Sequence, residues 1–275
     1  MEHSGQVSII SVRFDKRRSI LTRSEPNANS LGKNPLASRS AETPDIIDFR
    51  DVGLRYGRGP EILSDVNLTL PQGSFSFLTG PSGAGKSSLL KLCYLALAPS
   101  RGHISVFGQD AALLDNREIQ AVRRRIGVVL QDFTLIDHLS VFENVSLPLR
   151  VAGQSRGQYT QDVTELLQWV GLGHRMQAFP PTLSGGEKQR AAIARAVIAK
   201  PNLLIADEPT GNVDPEIGRR LLRLFAEMNR MGTTVMIATH DIDLIQELDA
   251  RVFRIEGGRI FKGLNAGSNR DEKHL

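Results

Sequence analysis

The run SFSFLTGPSGAGKSSLLKLCYLAL, Ser74 to Leu97, constrains the fold more than any other part of the chain. An apolar strand pattern enters a glycine-rich loop and leaves it as an apolar helical pattern, and such a βα unit needs a sheet that covers its strand on both sides. The loop itself, Gly80, Pro81, Ser82, Gly83, Ala84, Gly85, Lys86 and Ser87, fits G-x-x-x-x-G-K-[ST] at every fixed position, with Ser88 following. Gly83 and Gly85 permit a turn whose backbone N–H groups wrap phosphate oxygens. Lys86 brings positive charge to the β/γ-phosphates, and the Ser87 hydroxyl is placed to ligate Mg²⁺.

The rest of the body repeats the strand–helix alternation. IIDFRDVGLRY and LSDVNLTL read as strands around the turn-forming GRGPE, followed by HISVF, IGVVLQ, NLLIAD, TTVMIAT and ARVFRIE. Helical patterns lie in SSLLKLCYLAL, NREIQAVRRR, VFENVSLPLRVAG, TQDVTELLQWVGL, GGEKQRAAIARA, EIGRRLLRLFAEMNR and DIDLIQEL, and Ile217, Leu221, Leu224 and Phe225 share one helix face. The expected class is α/β, a mostly parallel sheet with helices on both faces. The domain is expected over residues 45–264, with a mainly helical insertion at about 132–181. Residues 1–44 are rich in Ser, Arg, Asn and Pro and read as a disordered extension, in which VSIISVRF could form a short strand or interaction segment; residues 265–275 read as a flexible tail.

Composition excludes several classes. The net charge of +4 sits mainly in the first 44 residues, which hold +3 and leave +1 for the remainder, so no basic face for nucleic acid is expected. No apolar run is long enough to span a bilayer, and Arg13, Asp15, Lys16, Arg17 and Arg18 interrupt any signal-peptide pattern. The sole cysteine, Cys93, reads as a small buried hydrophobe, and a cytosolic location is expected.

Outside the glycine loop, the strand LLIADE ends in two carboxylates at the edge of the sheet where ligands sit in such folds. Asp207 would hold Mg²⁺ directly or through water, and Glu208 would polarise an attacking water as general base. Gln131, ending IGVVLQ, could reach Mg²⁺ or that water. His240, ending TTVMIATH, could sense the γ-phosphate or position water. Tyr56 could stack on an adenine ring. TLSGGEKQRAAIARA opens a helix with two glycines, and two readings stand: Ser184-x-x-Glu187 is a capping box, while Ser184, Gly185 and Gly186 also present bare N–H groups to an anion.

Together these motifs resemble the ATP-binding-cassette (ABC) ATPases, over roughly Ile46 to Gly263. In that family's terms Tyr56 is similar to the A-loop aromatic, GPSGAGKS to the Walker A, Gln131 to the Q-loop and LLIADE to the Walker B. GNVD matches the D-loop, His240 the switch histidine and LSGGEKQ the signature. Ser88 stands where threonine is commoner and Val213 where leucine is usual. The resemblance implies an α/β P-loop fold with an antiparallel β region, ATP and Mg²⁺ as ligands, and a homodimer. In that dimer Ser184, Gly185 and Gly186 face the γ-phosphate held by the other subunit. Within the family, FLTGPSGAGKSSLLKL, NREIQAVRRRIGVVLQDF, ADEPTGNVD, LLRLFAEMNRMGTTVMIATHDIDLI and EGGRI are most similar to the FtsE-type branch that acts in cell division. That implies an integral membrane partner of FtsX type, docked between Gln131 and Arg150, and a peripheral position at the inner face of the membrane. The alternative is the ATPase of a lipoprotein-releasing or macrolide-type exporter.

Overall fold

Hydrophobic alternation sets the first layer. In the computed structural model, which describes residues 45–211, 213–241 and 250–263, β1 (Asp45–Arg55) and β2 (Glu61–Pro71) pair antiparallel. Ile47, Phe49, Leu63, Val66, Leu68 and Leu70 point to one buried side. β4 (Arg101–Val106) joins the other edge of β1, and β5 (Gln109–Asp110) completes an antiparallel sheet in the order β2-β1-β4-β5. Arg101 fastens it, donating to both carboxylate oxygens of Glu61 (3.0 and 3.1 Å), to Asp65 (2.8 Å) and to the Asp51 carbonyl (3.0 Å).

The second sheet runs β10-β9-β3-β8-β7-β6, from β3 (Phe75–Thr79), β6 (Ile126–Val129), β7 (Leu203–Asp207), β8 (Thr234–Ala238), β9 (Arg251–Glu256) and β10 (Arg259–Lys262). Every pair is parallel except β9–β10. All five residues of β7 and of β8 are buried, as central strands covered on both faces must be.

The helices divide between the faces. α1 (Lys86–Cys93) lies between the two sheets, burying Leu89, Leu90, Leu92 and Cys93 against Phe49 and Leu68 on one side and Ile205, Met236 and Ile255 on the other. Burial there pushes the Cys93 thiol up to about 12, in keeping with a small hydrophobe. On the far face, Leu204, Ala206, Val235 and Ile237 pack on α6 (Pro215–Arg230) and α5 (Gly185–Val197) through Leu221, Phe225, Ile193 and Val197, with Ile217 half-buried beside them. α2 (Asn116–Arg124) leads into β6. α3 (Val141–Val151) and α4 (Arg156–Trp169) form a third apolar cluster with the flank of α5: Val145, Leu149, Val163 and Leu167 meet Ala191, Ala194 and Ile198.

Several boundaries depart from the sequence reading. The helix expected through Leu97 stops at Cys93, because Leu95 takes a left-handed φ of 58° and the Leu95 and Ala96 amides donate back to Leu92 and Lys91. α4 begins at Arg156 rather than Thr160, started by Ser155, whose amide donates to the Gln158 side chain at 2.7 Å. β6 ends at Val129, leaving Gln131 in the following turn, and β5 and β10 are additional edge strands. The extension 1–44, the tail 265–275 and all but the first residue of DIDLIQEL lie outside the described residues.

Candidate functional site

The C-terminal ends of β3, β6, β7 and β8 lead into most of the candidate residues, Tyr56 following β1 and Ser184, Gly185 and Gly186 opening α5. The chain leaves β3 at Gly80, where φ is 147° and an added Cβ would sit 2.3 Å from the Ile255 carbonyl oxygen. It enters α1 through Gly85 at φ 105°, with Leu63 only 2.8 Å from where a Cβ would stand. Both positions need glycine for conformation and for space. Lys86 turns back over this loop, its Nζ donating to the carbonyls of Gly80 (2.7 Å) and Pro81 (3.1 Å). The ammonium therefore lies across the loop that Pro81 to Ala84 complete. The Tyr56 hydroxyl and Ser88 Oγ are 3.1 Å apart, which ties β1's end to α1 while the tyrosine stays 44% exposed.

Asp207 ends β7 and is buried. Burial pushes its carboxyl up, a hydrogen bond from Ser87 opposes that, and the nearby Glu208 charge raises it further. Lys86 also lies close enough to act on Asp207, so the loop and the strand end form one electrostatic cluster. Glu208 follows at φ 49°, a left-handed conformation that a non-glycine residue adopts only when its surroundings hold it. Its amide donates to the Ala238 carbonyl at 2.9 Å, and its Oε1 lies 2.9 Å from His240 Nδ1. The Glu208 carboxylate raises the pKa of the exposed imidazole.

Gln131 is exposed in the turn after β6, beside the end of β7 through the Val129–Ala206 pairing. That turn contains two successive left-handed residues, Phe133 (φ 58°) and Thr134 (φ 44°), whose carbonyls both accept from Arg195 of α5 at 3.0 and 2.9 Å. The fold thus brings Lys86, Ser87, Asp207, Glu208 and His240 together, places Tyr56 against Ser88, and sets Gln131 on the same sheet edge.

No hydrogen bond among the described residues joins Ser184, Gly185 or Gly186 to that cluster, and the capping box forms. The Ser184 amide donates to Glu187 at 2.8 Å, and the Glu187 amide donates to Ser184 Oγ at 3.3 Å. The Ser184 backbone bond and then Arg175 hold the Glu187 carboxyl down at about 2. Ser184 and Gly185 are nevertheless exposed. Of the D-loop tetrad, Asn212 lies outside the described residues, whereas Asp214 caps α6 through the Glu216 amide at 2.8 Å. Sequence reasoning passed over Arg175, Gln189 and Arg195, all of which bond to the loops around these residues. Gln189 sits within LSGGEKQ, but its direction on the helix was not legible there.

Comparison with known proteins places the whole arrangement. A family model described as ABC transporter matches residues 63–211. The chain is 40% identical over 222 residues to the cell division ATP-binding protein FtsE of Bacillus subtilis, covering 81% of this chain and 97% of that protein. It is 44% identical over 219 residues to FtsE of Escherichia coli K12, covering 80% and 99%. Among solved structures it is similar to a dimeric ATP-binding cassette in a post-hydrolysis state bound to ADP and Pi, with TM-score 0.75, 31% identity, and coverage of 80% of this chain and 98% of that one. A dimeric bacterial ABC transporter cassette matches equally, at TM-score 0.75 and 32% identity. With the family model spanning more than half of its residues, the chain belongs to the ABC transporter family and is an ATP-hydrolysing cassette of that family.

Proposed function

We propose that this ATPase is the motor subunit of a cell-division membrane complex of FtsEX type and works as a homodimer with two composite ATP sites. One observation carries the reading: relatives named cell division ATP-binding protein FtsE are 39–44% identical to it over 96–99% of their own length. No helix among the described residues is long and apolar enough to cross a membrane. The proposed partner is therefore an integral membrane protein resembling FtsX, with this chain peripheral at the cytoplasmic face. Its dock is the segment from Gln131 to Arg150, in the helical insertion proposed for residues 132–181.

In the proposed mechanism, the loop N–H groups from Gly80 to Ser88, Pro81 having none, and the Lys86 ammonium bind the phosphates of ATP, and Tyr56 offers its exposed ring to the adenine. A hydroxyl and a buried carboxylate, Ser87 and Asp207, are hard oxygen donors that suit Mg²⁺, which takes few protein ligands and shares the rest with phosphates. Gln131 would supply a third oxygen from the turn after β6. When bound, the ion neutralises charge on the β- and γ-phosphoryl oxygens. Glu208 Oε1 is held by His240 and accepts the proton of the attacking water, while His240 orients that carboxylate. Gly185 and Gly186 offer the first amides of α5, which a helix leaves without internal partners, and Ser184 offers its hydroxyl, to the γ-phosphate on the opposite subunit.

The test is identification of the membrane partner. Affinity capture of the full chain from detergent-solubilised membranes, followed by mass spectrometry, should return an FtsX-like protein in stoichiometric amount. Recovery of an exporter permease instead would overturn the cell-division reading while leaving the ATPase intact.

A further inference from the structure

The signature helix and the catalytic strand end of one chain are joined by a side chain to which the mechanism above gives no role. Gln189 projects from the second turn of α5 into the interior and is only 2% exposed. Its Nε2 donates to the carbonyl of Glu208 at 3.2 Å and, in a shorter bond, to that of Pro209. Reversing the amide would set Oε1 against two carbonyl oxygens, so the orientation is fixed by chemistry. Oε1 has no hydrogen-bond partner among the described residues. A buried amide with an orphan acceptor is a poor choice for stability, where an apolar side chain of equal volume would pack without that cost. What the amide supplies is two donors, aimed at the backbone on either side of a peptide bond.

That backbone is the strained one. Glu208 sits at φ 49°, with its amide bound to Ala238 at 2.9 Å and its carbonyl also accepting from Gly211 at 3.3 Å. β8 holds one face of the residue and α5 the other, and between them they fix where its carboxylate can point. We propose that Gln189 is a positioning residue for ATP hydrolysis: from the signature helix it clamps the Glu208–Pro209 backbone so that the Glu208 carboxylate stays on His240 and faces the phosphate loop. This rests on the reading of Glu208 as the general base. Ser184 and Gln189 are about 7 Å apart along one helix. The clamp therefore ties the end a chain offers to its partner's nucleotide to the base it applies to its own.

The experiment uses the full chain with Gln189→Met, which keeps the volume and removes both donors, and Gln189→Glu, which keeps the shape. Thermal unfolding is followed first, and if the methionine variant does not fold, the glutamate variant decides. ATP affinity, read with a fluorescent analogue, should stay within about threefold of the parent. Single-turnover phosphate release should fall roughly 10- to 100-fold, the scale of a small misplacement of a catalytic group. The ¹⁵N resonance of His240 Nδ1 should move from its carboxylate-bonded position toward that of a free imidazole, a change that a purely structural role for Gln189 would not produce. Glu208→Gln is measured alongside. If Glu208→Gln hydrolyses ATP like the parent, the base assignment itself fails. If it stalls while folded Gln189 variants turn over at the parental rate with the His240 resonance unmoved, the clamp alone is overturned.

Discussion

Glu208 combines a left-handed backbone, a buried neighbour in Asp207 and a hydrogen bond to an exposed histidine, and each feature constrains what the residue can do. Strain of this kind costs about 1–3 kcal/mol and persists where the surroundings enforce it. The His240 pair gives a direct readout. Because the Glu208 carboxylate raises the imidazole pKa, the folded state binds a proton at His240 more tightly than the unfolded chain. The stabilisation from the pair is complete below the ordinary histidine pKa and disappears as pH rises through the raised folded value. An NMR titration of His240 should thus have its midpoint above about 6.5, and Glu208→Gln should return it toward that value. At this scale the residue types were legible: the strand-end carboxylates, Lys86 and His240 could be named from their places in the sequence. Their aim was not, since Gln189 and Arg195 act through backbone carbonyls that no residue type announces.

Elements were legible where a local signal matched the tertiary outcome. The apolar runs LLIAD and TVMIA read as buried parallel strands and are buried throughout. The end of α1 was hidden, because the left-handed position that closes it is occupied by Leu95 and not by the glycine that usually marks such a stop. The short β10 hairpin had a signal in the Gly257–Gly258 turn, and the start of α4 had one in Ser155-x-x-Gln158. The α5 cap is both element and site. Its carboxylate, Glu187, is held down at about 2 by the Ser184 backbone amide and then by Arg175, so its contribution is present above the ordinary glutamate pKa and is lost as pH falls toward 2. Glu187→Gln should flatten the fall in stability between about pH 4.5 and pH 2 in denaturant titrations, and at neutral pH it should cost about 1 kcal/mol, as lost caps do. An unchanged acid slope would assign that pH dependence to other carboxylates.

At the scale of the whole molecule, the same helix start is a cap and, in the proposed dimer, half of a phosphate site. Within one chain, Ser184 and Glu187 satisfy each other, and the phosphate loop, Asp207 and Glu208 gather without them. The glycines at the start of α5 cost about 1 kcal/mol each against alanine in a helix interior, and in the dimer proposed above their use is to meet the nucleotide of a second copy. The sequence motif points to this proposed use, and in the chain by itself the bonds of Ser184 are those of the cap alone. The decisive measurement is the solution mass of Glu208→Gln in Mg-ATP by light scattering, with and without Ser184→Arg. The account predicts that Glu208→Gln alone doubles from the 30.2 kDa monomer on adding ATP. The double variant should bind ATP as tightly and remain at the monomer mass, and dimers closing equally well with Ser184→Arg would contradict the composite site.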